Sequence, residues 1–597
     1  VSVTSRRSGA SNTEAVLLWA GISLVVLVVG GVNLVTRVGW WITPGGPALP
    51  GNPVALLLGV IQGAVPWPPR ALALGIGLAA LLLGAGGLLL TMWARRGQKP
   101  SVDRAGAHLG RGKDLRALSR KGATATARRL GVDGYVGQPL GVTVAGGQPL
   151  YAGVEDVALL VAGPRTVKSS AYGIPWVLNA PGWVVATSNK RDLCDATRDP
   201  RGEHGHVWVF DPQGIAGEQP TWWWDPLSYV TDEVQAQKLA RLWATSSRDV
   251  GARTDAYFDN AAMELLGNLL LACAVAQRPI TQVYLWLTTP ADDEPAVILR
   301  KSGQGYTLQA AALEGMVNLN PKQRDGVYGG AKGMCSFLTS RAAARWVTPA
   351  AGDRRRQFSP ARFVRSADTL HLLSREGEGS TGPLVTALTV SITEAAEAYA
   401  KESPGGRLPI PGVCVLDEAA NVCRWKDLPD MYSHYGSRGI LILTILQSYS
   451  QGVEVWGRDG MRKLLSAANV LIYGGGVRET EWLQELSQLL PEWRPTTVST
   501  SYAKGQRTTS RSTHAERLLD VQELSSLAKG RALVFSSGAP PTLVRTVPWM
   551  DGPHADAVRA SQAAHDPAGG ARPPAVKHEP DVPPVAEVRA RSPWVTP

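Results

Sequence analysis

The chain has 597 residues, 44% of them hydrophobic, and a formal charge of +11. That length admits several domains with sizeable cores and excludes both a disulfide-stapled miniature and a disordered polypeptide. The surplus of cations favours an acidic partner, nucleic acid or anionic lipid, and the five scattered cysteines, without metal-like spacing, point to a reducing cytoplasm.

Two charge-free apolar stretches come first. After a head of residues 1–14, residues 15–36 and 71–93 each exceed the roughly 20 residues needed to cross a bilayer core, which predicts two transmembrane helices. Arg6 and Arg7 precede the first, residues 94–130 carry eleven Lys/Arg against Asp103 and Asp114, and the link 37–70 holds only Arg37 and Arg70. The positive-inside bias then places both termini in the cytoplasm, as in a two-pass protein of the inner or plasma membrane. Residues 54–65 in the link are too short to span and are expected at the outer interface. Small residues four apart in the second stretch, Gly75 with Ala79 and Ala80 with Gly84, permit close helix packing. The basic juxtamembrane segment 94–130 suits anionic headgroups or nucleic acid, or is simply solvated.

From residue 131 short apolar runs alternate with helical patterns, which predicts an α/β fold with a mostly parallel sheet. Seven runs qualify as strands: Val157 to Val161, Trp183 to Ala186, Val207 to Phe210, Leu370 to Leu373, Val413 to Leu416, Ile440 to Ile445 and Val470 to Tyr473. Between 232 and 350 the pattern turns helical, as in 256–276 and 326–347, so an all-helical insertion is expected between a first part (131–231) and a second part (351–553) of one domain. Residues 554–597 are rich in Pro, Ala and polar residues and are predicted to be a disordered tail.

Three stretches carry candidate chemistry. AGPRTVKSS, residues Ala162, Gly163, Pro164, Arg165, Thr166, Val167, Lys168, Ser169 and Ser170, follows a strand and precedes a helix, as a phosphate-binding loop does. Such a loop wraps backbone N–H groups around phosphate, neutralises it with a lysine, here Lys168, and holds Mg²⁺ by a hydroxyl, here Ser169. Val167 stands where that pattern requires glycine, so the segment reads as a nucleotide loop, a disabled one, or a coincidence. VCVLDEAANV ends a strand in Asp417 and Glu418, an arrangement in which the first carboxylate steadies Mg²⁺ and the second polarises an attacking water; its plainer reading is a solvated turn. The next strand ends in Gln447, whose amide can sense a γ-phosphate, orient water, or merely finish a strand with a hydrogen bond.

Two N-terminal spans, the AGPRTVKSS loop, the LDEAAN block, SRGILILTILQSYSQ (437–451) and the helical insertion, in this order and spacing, resemble the type IV secretion coupling proteins of the TraG/TraD conjugative DNA-transfer family over about residues 15–550. The resemblance implies a RecA-like P-loop ATPase, related to the FtsK/HerA motors, that binds ATP and Mg²⁺ and assembles as a membrane-anchored homo-hexamer. DNA without sequence preference, relaxase or relaxosome proteins and the secretion channel would be its partners, with the helical insertion meeting the cargo. It also implies a trans-acting arginine, for which Arg438 is the positional match, and it aligns 180–193 with a family strand of which only Lys190 is retained. A non-hydrolysing cargo receptor of the same family, or an FtsK-like translocase, are the competing readings.

Overall fold

The computed structural model describes residues 26, 28–70, 73–78, 80, 84, 87, 101–247, 255–350, 352–377, 379–493, 496–503, 506–513 and 516–567. The chain divides into two compact units, Val1–Lys99 and Pro100–Pro597. In the first, residues 28–42 and 73–78 are helical, and Pro53–Ile61 forms a helix whose start is fixed by Asn52, which accepts the Val54 amide, and by Pro53 at its first position. Most of the predicted spans 15–36 and 71–93 lies outside the described residues. Among the described residues one helix, Ala256–Val275, is long and apolar enough to cross a membrane. It belongs to the second unit, where Leu265, Leu266, Leu269 and Leu270 are buried in the core.

The second unit is built on an eleven-stranded mixed sheet. We number its strands β1 (Gln138–Thr143), β2 (Pro149–Ala152), β3 (Ala158–Val161), β4 (Val184–Ser188), β5 (Val207–Phe210), β6 (Thr369–Leu373), β7 (Gly412–Leu416), β8 (Ile440–Leu446), β9 (Val470–Tyr473), β10 (Arg531–Ser536) and β11 (Ala539–Arg545). The spatial order is β2-β1-β11-β10-β9-β3-β8-β7-β4-β6-β5. The segment from β9 to β5 is wholly parallel. Its strands are the seven that the apolar runs predict, and β3, β4, β6, β7, β8 and β9 are buried at every residue, as a sheet covered on both faces requires. The remaining four strands flank β9 in antiparallel pairings. Pro139 and Gly141 in β1, Pro149 in β2 and Pro540 and Pro541 in β11 interrupt the patterns of those three strands and hide them from the sequence reading.

Between Trp223 and Arg356 the described residues are helical or loop, with helices Glu233–Ser247, Ala256–Val275 and Pro321–Met334 among them. The stretch is closed at its base by a short parallel pairing of Trp222–Trp223 with Arg356–Gln357. The run Trp222 to Trp224 is buried, with Trp208, Trp346 and Phe358 packed around Trp222.

Two boundaries move. The basic segment 94–130 is more than a juxtamembrane stretch: Val102, Ala105 and Leu109 enter the main core, and Asp103 pairs with Arg531 of β10 at 2.7 Å. The tail begins later than 554, because Ala555–Ala564 is a helix with Val558 and Ser561 buried. Ser561 donates to the Asp195 carbonyl of helix Asp192–Gly202, and His565 meets Asp199 of the same helix at 2.9 Å. Residues 568–597 lie outside the described residues.

Candidate nucleotide site

Parallel strands deliver their following loops to one edge, and here β3, β7, β8, β4 and β9 are neighbours. AGPRTVKSS leaves β3, Asp417 and Glu418 leave β7, Gln447 leaves β8 and Lys190 follows β4. Residues between 162 and 447 thus contribute four loops to a single crevice although the chain separates them widely.

The loop is pinned from below. The Ala162 amide donates to the Leu446 carbonyl at 3.0 Å, and that of Gly163 to Gly475 at 2.8 Å. A Cβ on Gly163 would stand 2.1 Å from the Gly476 carbonyl oxygen, so that approach requires glycine. Thr166 closes the turn by donating its hydroxyl to the Gly163 carbonyl at 2.6 Å. Beyond it the chain enters a π turn, Ser169–Gly173, continued by the helix Ile174–Leu178. Pro175 has no amide to return to Ala171, which favours the wider turn there. No backbone carbonyl among the described residues accepts from the amides of Val167, Lys168, Ser169 or Ser170. Unpaired donors at a helix start form a site for an anion.

Val167 has φ +62°, and Arg165 has φ +61°. The loop therefore keeps the left-handed backbone for which glycine is suited, and forces a β-branched residue into it, at a cost of about 1–3 kcal/mol. The valine changes the energy of the loop and leaves its path intact.

Lys168, Ser169, Asp417 and Glu418 come together. Ser169 Oγ donates to Asp417 Oδ2 at 3.0 Å. Lys168 feels the charges of both Glu418 and Asp417; burial lowers its pKa, the two carboxylates oppose that, and neighbouring Lys190 adds to it. Burial, and then the adjacent Glu418, push Asp417 up to about 6, while Ser169 and Lys168 pull it back. Thr187 of β4 fixes the backbone here, donating to the Asp417 carbonyl at 3.0 Å. Glu418 has φ +54°, a left-handed corner that turns its side chain toward the end of β8. There Gln447 Nε2 donates to Glu418 Oε1 at 2.6 Å, and Asn421 approaches the other oxygen at 3.4 Å.

A hydroxyl and a carboxylate oxygen 3.0 Å apart match two adjacent corners of an octahedron, whose edge is about 2.9 Å when metal–oxygen distances are 2.0–2.1 Å. Both are hard oxygen donors, so Ser169 and Asp417 fit Mg²⁺. Among the described residues no group of three or more His, Cys, Asp or Glu forms a dedicated metal cage.

Arg438 is elsewhere. It precedes β8, so the seven-residue length of that strand, about 23 Å, separates it from Gln447. Its Nη1 donates to the Gly406 carbonyl at 2.7 Å, holding the 403–408 loop. Other eye-catching residues have structural work: Asp211 accepts the amides of Ile215, Ala216 and Glu218, His434 faces Glu397 at 3.3 Å, Arg355 pairs with Asp353, and Arg356 lies over the Trp208 ring. Sequence reasoning missed Thr187, Gln451, the glycine run Gly474–Gly476 and Glu479. Only the glycine run left a readable trace, three consecutive glycines at a strand end, where close backbone approach is expected.

Residues 411–529 match the family model described as the TraM recognition site of TraD and TraG. No curated protein matches the chain in sequence. Among solved structures the chain is similar to the bacterial conjugative coupling protein TrwBdeltaN70 (17% identity, 71% of this chain and 91% of that one, TM-score 0.49). It is also similar to plasmid coupling protein TrwB in complex with the non-hydrolysable GTP analogue GDPNP (17%, 68% and 89%, TM-score 0.48) and to VirB4 of Thermoanaerobacter pseudethanolicus (14%, 70% and 97%, TM-score 0.40).

Proposed function

We propose, from the match of residues 411–529 to the TraM recognition site of TraD and TraG, that the chain is a member of the TraG/TraD family: a membrane-anchored ATPase coupling protein that recruits relaxase-bound DNA and drives it into a type IV secretion channel. The observation that carries this reading is the meeting of Ser169 with Asp417 at 3.0 Å, beside Lys168 and Glu418. The loop amides and Lys168 would hold the triphosphate of ATP, and Ser169 and Asp417 would hold Mg²⁺. That cation, when bound, neutralises charge on the β- and γ-phosphate oxygens. Glu418 polarises the attacking water, and Gln447, hydrogen-bonded to it, orients the same water or the γ-phosphate. Arg438 can contribute only from a neighbouring subunit of a ring, as a homo-hexamer would provide. DNA would be gripped by its phosphates along that ring, without sequence preference and with strong salt dependence. In this reading two spans would lie in the inner membrane with both termini cytoplasmic, a motor domain of residues 131–231 and 351–553, joined by the packed segment 101–130 and the helix Ala555–Ala564, would carry the site, and the helical insertion would face the cargo.

Val167 supports a second reading, a member that binds nucleotide or cargo without turnover. DNA-stimulated phosphate release separates the two. Wild type is expected to exceed Lys168→Ala by at least about tenfold, each tenfold being about 1.4 kcal/mol of barrier. Wild type equal to Lys168→Ala, with turnover appearing only in Val167→Gly, would establish the non-hydrolysing receptor.

A further inference from the structure

One carboxylate near the site has no part in the scheme above, yet it is tied to both halves of it. After β9 the chain runs through Gly474, Gly475, Gly476, Val477 and Arg478 to Glu479. At its start this connector lies under the phosphate loop: Gly474 donates to the Val161 carbonyl, Gly475 accepts from Gly163, and a Cβ on Gly476 would sit 2.8 Å from Thr166 Cγ2. At its end Glu479 begins the helix Thr480–Leu489 but does not cap it. Its two carboxylate oxygens instead accept the amides of Tyr449, at 2.8 Å, and Ser450, at 2.9 Å.

Those amides open the helix Tyr449–Ala467, which starts two residues after Gln447. Helix-start donors have no partner within their own helix, and a carboxylate there is favoured by both hydrogen bonding and the helix dipole. The Tyr449 ring stacks on Trp482, 5.8 Å between centroids, which adds a second tie to the same segment. Gln451, one turn in, accepts the Gln447 amide at 3.0 Å. The Gln447 corner is therefore held by the helix, and the helix start is held by Glu479.

We infer that Glu479 is a positioning residue: through the Tyr449–Ser450 helix start it holds Gln447 against Glu418, and through the glycine connector it makes that contact depend on the seating of the phosphate loop. This deepens the ATPase reading and rests on it for its catalytic consequence, although the positioning itself does not require hydrolysis. It concerns kcat and leaves nucleotide affinity alone, since Glu479 faces helix 449–467 and the loop keeps its own contacts to Leu446 and Gly475.

The test uses the full-length chain in detergent micelles, as wild type, Glu479→Ala and Glu479→Gln. Hydrogen exchange of a peptide spanning 447–453 is expected to quicken at least about fivefold in Glu479→Ala, the size of a lost cap, with Glu479→Gln intermediate because its amide retains one acceptor oxygen. A fluorescent ADP analogue is expected to bind both variants within about twofold of wild type, while kcat in Glu479→Ala falls about tenfold, a loss read as ΔΔG‡ without a change in binding. Unchanged exchange at 447–453 would overturn the inference, and so would a Kd that weakens as much as kcat, which would mean collapse of the loop. Should wild type itself show no turnover, the ATPase reading fails and exchange alone decides whether Glu479 positions the corner.

Discussion

At the level of single residues the loop's odd valine and the buried Asp417 make opposite demands. Val167 occupies a glycine conformation at φ +62°. Glycine would remove the strain but carry more unfolded-state entropy, so Val167→Gly is expected to stabilise the protein by a net ~1 kcal/mol, read as a shift of the urea midpoint at constant m. Asp417, raised to about 6 by burial, takes up a proton just below neutrality and then offers Mg²⁺ no charge. The Mg²⁺-dependent part of nucleotide affinity should therefore fall about tenfold from pH 7 to pH 5, and Asp417→Asn should flatten the profile, measured with the nucleotide analogue in Mg²⁺ and in EDTA. The charged members of the site were legible from sequence because strand ends announce them. Glu479 was not, since its partners are backbone amides 29 and 30 residues away, and amides carry no sequence signature.

Among the elements, the parallel strands were readable since burial on both faces writes them as unbroken apolar runs. The antiparallel flank was not: glycine and proline sit in three of its four strands, and its joins to the rest, β1 to β11 and β10 to β9, are made between strands distant or reversed in the chain. The helix Asp192–Gly202 shows a different kind of hidden dependence. Its Arg201 is fully buried and donates to the carbonyls of Ala180, Gly182 and Ala367 and to Thr369 Oγ1. These four acceptors tie the helix to the entries of β4 and β6. Arg201→Ala is expected to cost about 3–5 kcal/mol, because it strands them without partners. The same change at exposed Arg362 should cost under about 0.5 kcal/mol; paired denaturation curves would distinguish the two.

For the whole molecule, the separation of Arg438 from the phosphate loop by the length of β8 decides how cooperation can be tested. If subunits complete each other's sites, Lys168→Ala and Arg438→Ala proteins, each inactive, should regain activity when mixed, with about a quarter of the interfaces pairing an intact loop with an intact arginine. Activity that stays absent in the mixture would confine Arg438 to its bond with Gly406. Nothing in the sequence distinguishes these outcomes, because assembly is a property of surfaces and not of motifs.

The pairing of β1 with β11, Val142 opposite Arg545, has a consequence for biosynthesis. A strand made early must wait for one made last, so loop-closure entropy is greatest for this seam and non-local pairing of this kind slows folding. During translation the edge of β1 stays open until nearly all of the chain has left the ribosome. A ribosome stalled just before β10 should thus display a protease-sensitive sheet that lacks its last two strands, and their release should seal it.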